Sequence, residues 1–129
     1  MSTVTRTTQL GRGCWTILTD YPADQCAQAR LRVGEDGVHV AARFELYRDG
    51  VELANGYHEL VDGAALSARL TGELADRRDG EQLDQRFLAA MAHGLPDCAG
   101  VAVGFDRVVM LALGLPAISA AQAFAWDQC

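Results

Sequence analysis

Three carboxylates and one amide lie at short intervals near the middle of the chain, as Glu45, Glu52, Asn55 and Glu59. A hard cation such as Mg²⁺ prefers oxygen ligands, and one or two carboxylates commonly hold it together with phosphate oxygens. The same residues could instead form an ordinary solvated polar surface. The spacing therefore leaves two interpretations open, a divalent cation site and a solvent-exposed face.

The residues around these carboxylates predict a β-hairpin. Residues 43–47 alternate around aromatic and branched side chains as a strand does, and Asp49-Gly50 is a strong two-residue turn because both residues tolerate positive φ. A tight turn places Tyr47 opposite Glu52. Glu45 and Glu52 then lie on one face as diagonal neighbours, about 7–8 Å apart. A cation or a metal–polyphosphate complex could fill this gap.

Strict alternation along the second strand would put Asn55 on the face opposite to Glu52. The pair Asn55-Gly56 favours a β-bulge, because glycine readily adopts the unusual φ that a bulge requires. A bulge there would return Asn55 and Glu59 to the side of Glu52. The sequence therefore predicts a bulge at Asn55-Gly56.

A second stretch, residues 100–107, reads G-V-A-V-G-F-D-R and leads into the apolar run V-V-M-L-A-L-G. It predicts a strand of small residues followed by a helix. Its glycines, Gly100 and Gly104, permit either tight packing of the strand against the helix or close approach of a ligand. Arg107 is unfavourable beside the dipole at the start of an apolar helix, which indicates an anionic partner.

Together the two stretches resemble the C-terminal half of the catalytic domain of class II aminoacyl-tRNA synthetases, in the lysyl-tRNA synthetase subclass. The similarity is greatest to the shorter members that attach β-lysine to elongation factor P, and it runs more loosely from about Trp15 to the end of the chain. The matching segments are F-E-L-Y-R-D-G-V-E-L-A-N-G-Y-H-E-L at 44–60, G-L-P-D-C-A-G-V-A-V-G-F-D-R-V-V-M-L-A-L-G at 94–114 and A-F-A-W-D at 123–127.

The resemblance implies a nucleotide site. Glu45 and Glu52 match the pair that holds Mg²⁺ on ATP, so they are the expected metal residues. Arg107 matches the arginine of motif 3 that contacts the ATP γ-phosphate, and it is the expected catalytic residue. Gly104 matches a glycine that leaves room beside the nucleotide.

The resemblance also implies an amino-acid site. Asn55 and Glu59 match residues that bind lysine or β-lysine, with Glu59 as the partner of an amino group. Ala102 lies where true lysyl-tRNA synthetases have glycine and the elongation factor P ligase has alanine, so this residue favours the β-lysine ligase. The implied reaction is attack of the substrate carboxylate on the α-phosphate of ATP, which gives an acyl-adenylate and pyrophosphate, with elongation factor P as the implied protein partner.

The chain departs from the family in its length. Motif 1, which builds the family's dimer interface, and motif 2, which supplies an arginine for the α-phosphate, have no match here, and residues 43–45 resemble the motif 2 core only superficially. Loss of one such donor costs on the order of 10²–10³ in rate, so we expect little or no adenylation by this chain alone. Three functions stay open: an inactive remnant of the ligase, a module that binds a nucleotide, an amino acid or a protein, and one half of a split ligase.

The expected fold is α+β, an antiparallel sheet of about four strands with helices on one face, in one truncated synthetase-like domain at 14–129 after a flexible leader at 1–13. The expected elements are a buried strand at 14–20, a helix at 64–78 capped by Asp62, a second helix at 81–93 and a short last helix capped by Ser119. A half domain leaves part of its sheet uncovered, so we expect a homo-oligomer joined through the exposed sheet surface.

The composition limits the partners and the compartment. The 129 residues suit one domain at most, and the net charge of −6 argues against DNA and does not favour tRNA, since nucleic-acid binding relies on basic surface. No apolar run is long enough to span a membrane, and the N-terminus does not read as a signal peptide. The cysteines indicate free thiols in a reducing cytoplasm, because Cys14, Cys26, Cys98 and Cys129 form no C-x-x-C pair.

Overall fold

The computed structural model describes residues 7–75 and 82–126, and within them it contains an antiparallel sheet and three α-helices. The strands are β1 (Trp15–Pro22), β2 (Leu31–Val33), β3 (His39–Arg48), β4 (Val51–His58) and β5 (Ala99–Val103). The helices are α1 (Gly63–Ala75), α2 (Gln85–Ala92) and α3 (Phe105–Ala112). The predicted α+β class is confirmed, with five strands where about four were expected.

The long hairpin β3–β4 is the centre of the sheet, which has the order β1-β3-β4-β5. The short strand β2 also pairs with β3, at its first residues. Because β1 and β2 both pair with Val40 and Ala41, they lie on opposite edges of β3. All of these pairings are antiparallel, so short local connections suffice for most of the sheet.

Alternation along the central strands gives the sheet two different faces. The register pairs Glu45 with Asn55 and Arg43 with Tyr57, and paired residues project from the same side of an antiparallel sheet. We name this side the polar face. The opposite side, the apolar face, carries the alternate residues, which are Phe44 and Leu46 of β3, Trp15 and Ile17 of β1, and Val101 and Val103 of β5.

The buried core is small and lies beside the polar face. Its central cluster consists of Tyr21, Ala29 and Ala41, packed against Cys26 and Tyr57. The predicted strand at 14–20 forms as β1, but most of its side chains are exposed, so the prediction that it is buried is wrong. The reason is that the described residues leave much of the apolar face, on which Trp15 and Ile17 lie, open to solvent.

Helix α1 is capped as predicted. Asp62 Oδ1 accepts the backbone N–H groups of Ala64 and Ala65 at 2.9 and 3.0 Å, which satisfies two donors of the first turn. Farther along, Arg69 Nη1 donates to the carbonyl oxygen of Ala29 at 2.7 Å and so ties the helix to the segment before β2. The predicted end of this helix, residues 76–78, lies outside the described residues.

The predictions for the second helix and for the last helix differ from the structure. Helix α2 begins at Gln85 rather than near residue 81, because the Asp84 carboxylate accepts the N–H groups of residues 86 and 87 and sets the start of the helix there. The predicted last helix is a 3-10 turn, Ile118–Ala121, that follows Ala117 without a side-chain cap. The prediction that Ser119 caps a helix is therefore wrong.

Residues before β1 are held against the β3–β4 turn. The Gly50 N–H donates to the Leu10 carbonyl oxygen, and the Asp49 N–H donates to that of Gly11, both at 2.8 Å. These contacts involve residues of the predicted leader at 1–13, of which residues 1–6 lie outside the described part of the chain.

Three cysteines, Cys14, Cys26 and Cys98, are free thiols, which confirms the prediction for the described part of the chain; Cys129 lies outside it. Within the described residues, no helix combines the length and apolar character needed to cross a membrane.

Candidate functional site

The β3–β4 hairpin brings the predicted ligand residues onto one face. The turn residues Asp49 and Gly50 have φ values of 50° and 79°, and Tyr47 pairs with Glu52, both as predicted. The sequence pattern of the turn therefore sets the register of the site.

The bulge that brings the amide to this face lies at Leu53, so the predicted position, Asn55-Gly56, is wrong. The pairing steps from Glu52 to Ala54 against adjacent residues of β3, which leaves Leu53 as the extra residue. Leu53 is buried, and its carbonyl oxygen accepts the Gly104 N–H at 2.8 Å. The predicted consequence holds, since the carboxylates of the hairpin and the amide share the polar face.

Two glycines, one within β5 and one directly after it, leave room for the side chains of predicted site residues. A Cβ atom on Gly100 would lie 2.6 Å from Glu59 Oε1, and one on Gly104 would lie 3.3 Å from Arg107 Cδ. The groups that approach these glycines are side chains of the predicted site itself, which was not expected from the sequence.

Glu45 is the one buried charged side chain among the residues whose burial is described. Arg43 Nη2 forms an ion pair with its Oε1 atom, and the Tyr47 hydroxyl donates to its Oε2 atom. The buried Tyr21 hydroxyl lies near this carboxylate without completing a hydrogen bond of standard geometry to any described group. Both oxygens of Glu45 are therefore already satisfied.

The two tyrosines remain neutral hydrogen-bond donors over a wide pH range. Burial, together with the Glu45 carboxylate, raises the pKa of Tyr47 to about 12. The same two causes raise the pKa of Tyr21 above its usual range. A tyrosinate beside a buried carboxylate would place two like charges together, which the low-dielectric environment disfavours.

Arg43 is the residue of the polar face that sequence reasoning overlooked. Its Nε donates to Asn55 Oδ1 at 3.3 Å, and its Nη1 donates to the Gln25 carbonyl oxygen at 3.0 Å. Its guanidinium lies over the Tyr21 ring, 4.4 Å from the centroid. The sequence did contain a signal for this role, because Arg43 lies two residues before Glu45 and this spacing puts both side chains on one face of a strand.

Arg107 reaches the edge of the site from the first turn of α3. Its Nη1 donates to the backbone carbonyl oxygen of Glu52 at 3.0 Å, and its side chain is exposed. The Glu52 carboxylate itself makes no hydrogen bond or ion pair with any residue that the structure describes. Ala102 pairs with Asn55 and so lies on the polar face beside the amide.

His58 faces away from this constellation. Its Nε2 lies 2.9 Å from Asp97 Oδ1, which also forms an ion pair with Arg30 at 2.7 Å. The hydrogen bond from His58 and the charge of Arg30 lower the pKa of the Asp97 carboxyl. The interpretation of His58 as an ordinary polar residue of a sheet face is therefore supported.

The donor chemistry suits a cation shared with phosphate. Glu45 and Glu52 lie to either side of Tyr47 on the polar face, and both act on its ionisation. Within the described ranges, no group of three His, Cys, Asp or Glu residues could hold a metal ion by itself. The site therefore offers two carboxylates and needs further oxygen ligands from a bound molecule, as is common for Mg²⁺.

The open antiparallel sheet with its helices is part of a class II aminoacyl-tRNA synthetase catalytic fold. A family model described as tRNA synthetases class II (D, K and N) matches residues 6–128. The chain belongs to this family.

Among curated proteins, the chain is similar to enzymes named elongation factor P–(R)-β-lysine ligase. It is 42% identical to the enzyme of Klebsiella pneumoniae (strain 342) over 125 residues, which cover 92% of this chain and 37% of that protein. It is 41% identical to the enzyme of Vibrio campbellii over 120 residues, which cover 90% of this chain and 36% of that protein. The chain thus spans little more than a third of the length of these relatives.

Proposed function

We propose that the polar face is half of a site for ATP and a lysine-type amino acid. The observation that carries this proposal is the Leu53 bulge, which puts Asn55 on the same face as Glu45 and Glu52. Without that bulge the amide and the carboxylates would point to opposite sides of the sheet.

Four residues are proposed for the nucleotide. Glu45 and Glu52 hold Mg²⁺, which when bound neutralises charge on the phosphates. Arg107 contacts the γ-phosphate, and its exposed guanidinium beside Glu52 suits a charge-assisted contact with an anion. Gly104 keeps space free beside the nucleotide.

Three residues are proposed for the amino acid. Glu59 accepts an amino group of lysine or β-lysine, and its carboxylate lies over Gly100, where a side chain would collide with it. Asn55 supplies polar contacts from the adjacent position of β4. Ala102, paired with Asn55, narrows the pocket by one methyl group relative to glycine and so favours β-lysine.

The proposed chemistry is attack of the amino-acid carboxylate on the α-phosphate of ATP, which forms an acyl-adenylate and releases pyrophosphate. Transfer of the acyl group to elongation factor P then releases AMP. The chain spans 37% of the Klebsiella relative, and in this proposal it supplies the motif 3 side of the site. We propose that it does not complete adenylation alone, because the α-phosphate requires a donor that the family places in motif 2. The free thiols Cys14, Cys26 and Cys98 suit a reducing cytoplasm as the setting.

A second copy of the chain is proposed to cover the apolar face. Large apolar side chains on neighbouring strands of this face are exposed, namely Trp15, Ile17, Val101 and Val103. A contiguous apolar surface of this kind is typical of a protein–protein interface.

Calorimetric titration with ATP–Mg²⁺, in the absence and presence of lysine or β-lysine, tests the proposed site. We expect micromolar binding that Glu52→Ala and Arg107→Ala abolish. Glu35→Ala and Arg86→Ala remove the same charges from exposed positions elsewhere and should leave binding unchanged. Absence of heat at millimolar ligand with a folded chain would overturn the proposal.

A further inference from the structure

Arg43 is a cation at the middle of the polar face. It projects from β3 opposite Tyr57, pairs with Glu45 and donates to Asn55 Oδ1 at 3.3 Å. It therefore connects the carboxylate proposed for the metal with the amide proposed for the amino acid. The proposed function gives Arg43 no role.

Each oxygen of the buried Glu45 carboxylate already accepts one hydrogen bond. Arg43 donates to its Oε1 atom and Tyr47 to its Oε2 atom, and the residue is 6% exposed. A divalent cation that coordinates this carboxylate therefore competes with these donors for its oxygens. The displaced group is Arg43, because two cations at one oxygen repel each other whereas the neutral tyrosine adds no charge.

Arg43 has other partners to hold it if it leaves Glu45. Its Nη1 donates to the Gln25 carbonyl oxygen at 3.0 Å, and its guanidinium lies 4.4 Å from the centroid of Tyr21 and 5.8 Å from that of Tyr57. A planar guanidinium keeps hydrogen bonds and ring contacts at the same time. Departure from Glu45 therefore does not strand the charge in an apolar environment.

We infer that Arg43 is the counter-cation of Glu45 before a ligand binds and that it gives up this carboxylate when a divalent cation binds. This positioning role rests on the proposed function, which assigns Glu45 to the metal. Two effects of opposite sign follow. Loss of the positive charge strengthens binding of a free divalent cation, because its competitor is gone. The same loss weakens binding of ATP–Mg²⁺, because the complex carries net negative charge.

Titration with Mn²⁺ alone, followed by the electron paramagnetic resonance signal of free Mn²⁺, provides the test. Arg43→Gln should bind Mn²⁺ about tenfold more tightly than the natural chain and ATP–Mg²⁺ about tenfold more weakly. Arg43→Lys keeps the charge and should stay near the natural chain for Mn²⁺. Arg32→Gln removes an equal charge at the Asp20 pair and should change neither affinity.

A measurement on the natural chain covers the case in which Arg43→Gln does not fold. The Nε–H resonance of Arg43 should shift as Mg²⁺ is added, with the midpoint of metal binding, whereas that of Arg30 should not. An Arg43 resonance that stays in place at saturating Mg²⁺ would overturn the inference.

The outcomes separate the inference from the proposed function. If the natural chain binds Mn²⁺ and ATP–Mg²⁺, but Arg43→Gln binds Mn²⁺ equally well, the inference fails and the proposed function stands. If the natural chain binds neither ligand and Arg43→Gln gains Mn²⁺ binding, the competition is supported although the proposed function fails. If neither protein binds Mn²⁺, the inference fails, and the titration with ATP–Mg²⁺ decides the proposed function separately.

Discussion

The two faces of one sheet show opposite patterns of burial. On the polar face, Glu45 is 6% exposed and Tyr47 is 4% exposed, whereas on the apolar face Trp15 is 64% exposed and Ile17 is 62% exposed. Globular proteins ordinarily bury the apolar side of a sheet and expose the polar side. The inversion is consistent with the proposed ligand site on the polar face and with the proposed interface on the apolar face.

The faces also differ in how far their contacts extend along the chain. The polar network around Glu45 comes mainly from the hairpin at 43–57, so it can form within one supersecondary unit. The apolar face combines β1, the hairpin and β5, which are distant in sequence. The ion pair at the centre of the polar face therefore forms from contacts that are local in sequence, whereas the apolar face brings distant strands together.

The largest expected effect is on the buried ion pair of the polar face. Arg43→Leu leaves Glu45 buried without its counter-charge and should lower the free energy of unfolding by about 3–5 kcal/mol. The double variant Arg43→Leu with Glu45→Leu should recover most of this loss, because an apolar pair can replace a buried ion pair. Urea unfolding of the three proteins measures both values. A double variant as unstable as the single one would mean that the pair is not coupled.

The apolar face gives the next largest effect. Ile17→Lys should raise the dissociation constant of the proposed dimer on the order of 100-fold, about 2.7 kcal/mol, because it places a charge in the interface. Leu18→Lys is the matched control, since the adjacent residue lies on the polar face. Sedimentation equilibrium measures the dimer. A natural chain that is monomeric at high concentration would show that the apolar face does not bind a second copy.

A close contact within the hairpin, between β3 and β4, gives a smaller effect. A Cβ atom on Gly56 would lie 2.4 Å from the Phe44 ring, so Gly56→Ala should destabilise the fold by about 2 kcal/mol. Gly72→Ala, in α1 with open space around it, should instead stabilise the chain by about 0.5–1 kcal/mol. Thermal unfolding compares the two variants. Equal effects would mean that the ring does not pack on Gly56.

The smallest effect is a pH dependence of the polar face. The pKa of Tyr47 is raised to about 12 in the folded chain from 10.0, so the folded state holds this proton more tightly than the unfolded state. The contribution to stability is complete below pH 10 and is lost as pH rises towards 12. Tyr47→Phe should reduce this alkaline loss in urea titrations at pH 9 and 11. An unchanged loss would show that Tyr47 does not cause it.

The sequence predicted the features that have a local chemical signal. Asp49-Gly50 set the turn because both residues accept positive φ, and Asp62 capped α1 as expected. The bulge at Leu53 could not be located, because leucine carries no conformational signal and its position depends on burial and on the Gly104 N–H. The glycine at residue 56, taken as the signal for the bulge, instead accommodates an aromatic ring.

The sequence could not predict which face would be covered. Apolar residues in β1 indicated a buried strand, but burial depends on what packs against them, and the described residues leave Trp15 and Ile17 exposed. The role of Arg43 was also missed, because its contacts with Gln25 and Tyr21 join separate segments of the chain. Tertiary contacts of this kind leave no periodic pattern in the sequence.

The most direct test of the central claim is a map of amide chemical shifts on addition of ATP–Mg²⁺ and lysine. The account predicts that the largest changes follow the polar face, at Asn55, Gly100 and Ala102, and the start of α3 at Arg107. Residues 34–37, in the turn between β2 and β3, should not move. Binding without changes at these positions, or changes centred on Trp15 and Val101, would contradict the assignment of the polar face as the ligand site.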